Sequence, residues 1–288
     1  MTKIKSFLRM IKIEHTIFAL PFAFLGMILG SLMVQGHVPT VWQWFWVTMA
    51  MIGARSAAMA LNRVIDATFD KDNPRTAKRE IPAGKLTAFD TWIFITASFL
   101  LLFVSAAQLN LLSVILLPIA VFFLVFYSYT KRFTWLCHVV LGMTIGIAPL
   151  GGWVAVTGQL SVASFCLFFA VLFWLAGFDT VYATQDATYD REKGLHSIPS
   201  MFGVKRALFI ARLFHVMSFC FFVALYFVTP LNWLYALGVL CTGVIMIYQH
   251  AIVSENDLSK VQVAFFPMNG TLSVVLFLFA LGDLWLFF

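Results

Sequence analysis

Apolar residues gather along this chain into about nine runs, each close to the roughly 20 residues that a bilayer-spanning helix needs. They lie near positions 13–34, 41–62, 90–107, 111–127, 134–156, 162–182, 206–228, 231–249 and 263–287. The pattern predicts an all-α polytopic membrane protein, its helices arranged around a central cavity, with residues 1–288 forming a single intramembrane domain. Composition points the same way. With 61% hydrophobic, 17% aromatic and 11% charged residues and a mean hydropathy of +0.92, an ordinary soluble domain is excluded. The first run has a short basic lead and no small-residue cleavage site, so it reads as a retained helix rather than a signal peptide. Cys137, Cys166, Cys220 and Cys241 lie in or beside apolar runs without CxxC pairing, and read as buried small hydrophobes.

Charge gives the runs a direction. If the helices alternate, all 19 Lys and Arg fall on one side. Lys3, Lys5, Arg9 and Lys12 lead the chain, and Lys71, Arg75, Lys78, Arg79 and Lys85 follow the second run. Lys131 and Arg132 follow the fourth, Arg191, Lys193, Lys205 and Arg206 the sixth, and Lys260 precedes the last; Arg55, Arg63 and Arg212 lie inside the same helix ends. The opposite loops, QGHVPT, AQLN, TGQLS and VTPLN, carry none. The positive-inside rule then places the N-terminus and the cavity mouth on the cytoplasmic side and the C-terminus outside; the expected location is a bacterial inner (plasma) membrane. The net charge of +6 is assigned to topology and contact with membrane lipids. It calls for no nucleic acid, and no obligate protein partner is evident.

The acidic residues are placed otherwise. DATFDKD, Asp66 to Asp72, and DATYDRE, Asp186 to Glu192, nearly repeat each other at the ends of the second and sixth runs. Those runs are an even number of spans apart, so both motifs reach the cytoplasmic face, as in a parallel internal repeat of about four helices. At about 100° per residue, Asn62, Asp66 and Asp70 form one helical row with Arg55 behind it, and Asp179, Asp186 and Asp190 share a face beside Tyr182. Ionisable residues inside a membrane are costly unless they face a cavity or a partner, so Arg55 and Asp179 are expected to face a polar space. Clustered carboxylates require cations. Mg²⁺ takes carboxylate and phosphate oxygens together, so two such clusters among basic side chains suit a diphosphate held through metal, with its hydrocarbon in the apolar bundle. One DxxxD alone is ordinarily a solvated turn; two on one face, each with an intramembrane polar residue behind it, favour the metal site.

Longer motifs carry a resemblance. ARSAAMALNRVIDATFDKDNPRTAKREIPAGK, Ala54 to Lys85, resembles the first signature of the UbiA superfamily of intramembrane aromatic prenyltransferases, N-D-x-x-D-x-x-x-D, and DTVYATQDATYDREKGLHSIP, Asp179 to Pro199, resembles the second. Tyr127 and Lys131 match the Y-x-x-x-K element, and HTIFALPFAFLG, His15 to Gly26, is similar to the first helix of the 4-hydroxybenzoate polyprenyltransferase branch. The resemblance implies an Mg²⁺-dependent polyprenyltransferase that moves a polyprenyl group from its diphosphate to a small aromatic acceptor, 4-hydroxybenzoate first, in quinone (ubiquinone or menaquinone) biosynthesis. It implies Asn62, Asp66 and Asp70 on one metal and Asp186 and Asp190 on the other. Those four aspartates are then the catalytic set, with Arg55, Asn62, Arg75, Arg79, Tyr127, Lys131, Asp179, Tyr182 and Lys193 contacting substrates. One departure stands out: Arg63 follows Asn62 where the family often has Asp, and it is expected at a helix interface.

Other readings stay open. A naphthoate-type acceptor for menaquinone is the close competitor. A transporter or lipid-diphosphate-binding protein would also use intramembrane acids, although a coupling site belongs near the midplane. The single acidic motif with internal glycines of a CDP-alcohol phosphotransferase is absent. Of the remaining polar residues, Asp72 is expected in a solvated loop, Asp90 as a helix cap, His138 and His215 as isolated packing residues, and Asp283 at the external end away from the site. Pro21, Pro118 and Pro149 are expected to interrupt helices, and Ser197 divides evenly between substrate contact and loop structure.

Overall fold

The computed structural model describes residues 3–12 and 18–287. In chain order its helices are α1 (Lys3–Met10), α2 (Leu20–Gly30), α3 (Val41–Ile65), α4 (Ala67–Asp72), α5 (Ala88–Ala107), α6 (Leu111–Thr130) and α7 (Cys137–Thr157). They continue as α8 (Val162–Ala183), α9 (Ala187–Glu192), α10 (Ile198–Phe202), α11 (Val204–Val228), α12 (Trp233–Ala251) and α13 (Val261–Phe287). Eight helices among the described residues are long and apolar enough to cross a membrane, and they match the second to ninth expected runs to within a few residues. The protein is a multi-pass integral membrane protein. Of the first expected run, residues 13–17, His15 included, lie outside the described residues. Its remainder is α2, prolonged by a π-helical turn over Ser31–Gln35 and closed by Gly36 at φ 73°, a left-handed stop that glycine adopts without a Cβ clash.

Two compact units are present. The first comprises residues 1–16 and 40–129. Thr40 starts α3 with a capping box: its hydroxyl accepts the Gln43 N–H at 3.2 Å while its own N–H donates to Gln43 Oε1 at 2.8 Å. α3 then packs on α5 at Gly53, where an added Cβ would meet the Ser98 carbonyl oxygen at 2.7 Å. Small residues let membrane helices approach backbone to backbone in this way. Near Asp66, Met10, Ile11, Ala60, Leu61, Leu86 and Ile95 form an apolar cluster. Leu86 ties the far end of the loop that follows α4 to the helices.

The second unit comprises residues 17–39 and 130–288. Its centre is α8, whose spanning window is 67% buried, whereas that of α6 is 11% buried and leaves an apolar surface for lipid. Ser161 and Ser164 cap the start of α8 reciprocally. Gly26 of α2 lies on the Pro149 carbonyl of α7, and Gly152 of α7 on the Ala23 carbonyl of α2, so a side chain at either would drive the two apart. Inside the unit Trp174 donates to Asn269 Oδ1 at 2.8 Å among Phe18, Phe178 and Phe265, which keeps a buried indole N–H satisfied.

Several expectations are corrected. Asp90 does not cap α5; Thr87 does, its hydroxyl accepting the Asp90 N–H at 3.0 Å. Pro21 stands in the first turn of α2, where a missing N–H costs nothing, and α6 and α7 run on through Pro118 and Pro149. Cys137 and Cys166 are buried as expected, but Cys220 is exposed and Cys241 intermediate. Both sit on spanning helices whose outer faces meet lipid, so a small apolar side chain needs no burial there. Asp283, 1% exposed, accepts the N–H groups of Asn232 and Tyr235 at 2.8 and 2.9 Å and thereby caps α12 from a distance.

Candidate functional site

Both acidic motifs interrupt their helices in the same manner. α3 ends at Ile65, Asp66 takes φ −95° and ψ 7°, and the six-residue α4 follows. α8 ends at Ala183, a 3-10 turn spans Thr184–Asp186, Asp186 takes φ −103° and ψ 5°, and the six-residue α9 follows. These angles lie in the sparsely populated bridge region, where active-site residues recur. The expected straight helical rows are therefore corrected to a helix, a hinge at the first Asp, and a short helix carrying the second. The i to i+4 backbone bonds survive across the first hinge, Asp66 N–H to Asn62 O at 3.0 Å and Asp70 N–H to Asp66 O at 2.8 Å, so the motif stays compact.

In the first unit Asn62 Nδ2 donates to Asp66 Oδ2 at 2.8 Å, and Arg63 Nη1 donates to Asn62 Oδ1 at 3.3 Å. Arg79 Nη1 donates to both Asp70 carboxylate oxygens at 2.7 Å. The loop between α4 and α5 delivers that guanidinium. Asn73 accepts the Arg75 N–H at 2.9 Å, the Thr76 hydroxyl donates to the Asp70 carbonyl at 3.0 Å, and Gly84 turns the chain back toward Leu86. Tyr127 donates its hydroxyl to the Ala58 carbonyl at 2.9 Å. Arg55 is half-buried on α3, Arg75 is exposed, and Asp72 sits at the exposed end of α4. Arg63 is buried within this unit beside the motif amide.

In the second unit Lys131 Nζ pairs with Asp190 Oδ1 at 2.8 Å. Burial alone would lower the Lys131 pKa, but the carboxylates of Asp190 and then Asp186 outweigh it and hold the ammonium above its ordinary value. The Ser197 hydroxyl donates to Asp190 Oδ2 at 3.1 Å and accepts the Ser200 N–H at 3.2 Å, so the residue that starts α10 also orients the carboxylate. His138 Nδ1 and Asp179 Oδ2 are 2.7 Å apart. Tyr182 lies against the ring of Phe265, centroids 4.1 Å apart, and exposed Lys193 stands over the Tyr189 ring at 6.0 Å.

Asp70, Asp186 and Asp190 are 7%, 8% and 1% exposed, so these are buried carboxylates rather than solvated turns. With Asp66 and Asn62 they offer only hard oxygen donors, which fits Mg²⁺. Among the described residues no three His, Cys, Asp or Glu gather into one metal-binding group. Asp70 is turned to Arg79 and Asp190 to Lys131, the counter-charges that a divalent cation would displace. The expectation of isolated histidines is corrected twice, because His138 pairs with Asp179 and His215 Nδ1 lies 2.9 Å from His250 Nε2. Sequence reasoning missed these pairs and the role of Thr76; the histidine partners are 41 and 35 positions apart, with no local spacing to reveal them.

Comparison with known proteins bears on this arrangement. Residues 19–281 match the UbiA prenyltransferase family. A 4-hydroxybenzoate octaprenyltransferase from Tolumonas auensis is 37% identical over 166 residues, 58% of each chain. One of the same name from Francisella tularensis subsp. novicida is 25% identical over 254 residues, 88% of each chain. Among solved structures, a UbiA homologue from Aeropyrum pernix in its apo form superposes with a TM-score of 0.85 at 31% identity, covering 94% of this chain and 98% of that one. A UbiA homologue from Archaeoglobus fulgidus bound to GPP and Mg²⁺ shares the fold at a TM-score of 0.75 and 16% identity, over 96% and 99% of the two chains.

Proposed function

Because this chain belongs to the UbiA prenyltransferase family, we propose that it transfers a polyprenyl group from polyprenyl diphosphate to 4-hydroxybenzoate in quinone biosynthesis. The observation that carries the reading is the matched pair of hinged acidic motifs, each ending in a buried Asp held by a basic side chain, Asp70 by Arg79 and Asp190 by Lys131. In each pair the basic side chain offsets the cost of burying the carboxylate.

Asn62, Asp66 and Asp70 would hold one Mg²⁺ and Asp186 and Asp190 another. When bound, the metal supplies Lewis-acid neutralisation of the diphosphate leaving group. The side chains do the rest. Arg79 and Lys131, the cations set against these carboxylates, would donate to diphosphate oxygens and so favour breaking the allylic C–O bond. Tyr127, whose hydroxyl donates to the Ala58 carbonyl, would meet the substrate through its phenol oxygen as an acceptor. Arg55, Arg75, Lys193, Asp179 and Tyr182 remain the candidates for acceptor and diphosphate contacts, Arg55 being suited to an acceptor carboxylate. The N-terminus is placed in the cytoplasm and the C-terminus outside, on the asymmetry of Lys and Arg.

An acceptor screen tests the proposal. Purified protein with Mg²⁺ and radiolabelled polyprenyl diphosphate is offered 4-hydroxybenzoate, a dihydroxynaphthoate and a non-aromatic control. Prenylated 4-hydroxybenzoate with stoichiometric diphosphate release is the expected result. Product from the naphthoate alone would reassign the acceptor. Metal-dependent diphosphate binding with no product from any aromatic would replace the enzyme reading with a lipid-diphosphate carrier.

A further inference from the structure

An amphipathic recess lies in the second unit, where α11 packs on α8. A cavity of about 490 Å³ opens between α11 and α12, lined by Arg212, His215, Val216, Phe219, Ile247 and His250 among others. Its position follows from the chain path. α8 leads through Asp186, Asp190 and α10 straight into α11, so the beginning of α11 and the end of α12 lie at the motif-bearing end of the unit. Arg212 is the ninth residue of α11, about 12 Å from its start at 1.5 Å per residue, and His250 is the penultimate residue of α12. The polar groups thus sit near one end of two spanning helices. Phe219 and Ile247 continue the wall toward the membrane interior, and Val216 and Ile247 are 59% and 72% exposed, so the recess faces lipid.

The polar lining is built rather than incidental. His250 Nε2 and His215 Nδ1 are 2.9 Å apart, and His215 lies where a side chain on Gly177 of α8 would have to be. That close fit fixes the imidazole pair against the unit's central helix. Arg212 beside it has no hydrogen bond or ion pair among the described residues. An uncompensated guanidinium within a spanning helix is costly unless an anion meets it. Among the described residues no Asp or Glu lines the cavity, so nothing there would receive a headgroup ammonium. The recess has the size of a small-molecule pocket, with a cation at its polar end and aromatic and aliphatic walls below.

We propose that this recess is a binding site for an anionic phospholipid, distinct from the prenyl-transfer site, with Arg212 donating to the headgroup phosphate and the acyl chains lying along Val216, Phe219 and Ile247. Basic pockets between spanning helices recognise anionic headgroups by this chemistry. A zwitterionic lipid brings the same phosphate but an ammonium without a partner, which makes the site selective for net negative charge.

Delipidated full-length protein in neutral detergent is titrated with phosphatidylglycerol and, separately, phosphatidylcholine of the same acyl chains, and bound lipid is read by native mass spectrometry. Wild type should hold phosphatidylglycerol about tenfold more tightly, because the choline ammonium meets the Arg212 charge with no acid in the lining to offset it. Arg212→Gln should remove the preference, and Arg212→Lys should keep most of it. Arg212 is exposed, so neither variant disturbs the core. No preference in wild type, or an unchanged preference in Arg212→Gln, overturns the proposal. A third arm adds geranyl diphosphate with EDTA. Failure to displace phosphatidylglycerol is expected, whereas Arg212-dependent displacement would assign the recess to a prenyl diphosphate and refute the phospholipid.

Discussion

The two acidic motifs share a hinge but differ in how they are held. At an offset of 120 positions, Asp66 and Asp70 correspond to Asp186 and Asp190. In the first, the second Asp is gripped by Arg79, nine residues along the same loop, with one nitrogen serving both oxygens. In the second, Lys131 arrives from the end of α6, 59 positions away, and Ser197 adds a neutral donor. The flanks differ too: Met59 and Asn62 stand where the second copy has Asp179 and Tyr182. A local clamp depends on the fold of its own loop, whereas a clamp drawn from two segments depends on the packing of the unit.

The largest effect tests what the copies share. Asp66→Ala and Asp190→Ala should each lower Mg²⁺-dependent prenyl transfer by at least about 10²–10³-fold, the scale of losing one group that stabilises charge on the leaving group. Membrane insertion should be unchanged. Turnover near wild type in either variant would show that its motif is not part of the reaction.

Next come the clamps themselves. Arg79→Ala and Lys131→Ala should each cost about 10–100-fold in kcat/KM for the prenyl diphosphate, the equivalent of one or two charge-assisted hydrogen bonds. The difference lies in rescue and stability. Arg79→Lys should recover part of the loss, since a single nitrogen makes both contacts, and should leave thermal stability intact. Lys131→Ala leaves Asp190, 1% exposed, without its ion pair and should lower the unfolding temperature as well. Equal stability of the two alanine variants would remove the distinction between a clamp local to its loop and one set by the packing of the unit.

Much of this is legible in the sequence. Spanning helices are written in runs of apolar residues because the bilayer leaves no other way to satisfy the backbone, and the eight long helices fall where the runs do. The acidic motifs are legible because there are two of them on one membrane face, each with an intramembrane polar residue behind it. The hinge at Asp66 and Asp186 is not, since the residue pattern carries ideal helical phase through both positions. Nor were the partners of Asp179 and Asp283, His138 and the start of α12: a buried polar group is satisfied by whatever the fold brings near, and that distance is not encoded locally. Arg79 lay between, named from its basic loop but not assignable to Asp70.

Those long-range partners supply a smaller effect, confined to the second unit. His138 and Asp179 form one interaction, so a double-mutant cycle on unfolding in detergent, using His138→Gln and Asp179→Asn, should show a coupling of about 1–3 kcal/mol. The same cycle on acceptor KM separates roles. Coupling in stability alone marks a structural pair; coupling in KM as well marks Asp179 as an acceptor contact held in place by the imidazole. Met59→Leu, at the corresponding position of the first unit, should move neither reading, and a large effect there would show that the flanks are not as different as the side chains imply.

The smallest expected effect isolates the neutral donor that only the second motif possesses. Ser197 does two things at once, accepting the Ser200 N–H as the cap of α10 and donating to Asp190. Ser197→Ala removes both, and loss of the cap alone is worth about 1 kcal/mol, so a fall in stability cannot by itself report on the carboxylate. Activity separates the two. If the hydroxyl orients Asp190, Ser197→Ala should lower kcat a few-fold at unchanged KM for the prenyl diphosphate, and the Mg²⁺ dependence should shift to higher concentration. Ser197→Gly, which retains most of the capping preference but no hydroxyl, should then show the same kinetic change with a smaller loss of stability. Normal kinetics in Ser197→Gly would reduce the second clamp to Lys131 alone, and the two halves would differ only in where their cation comes from.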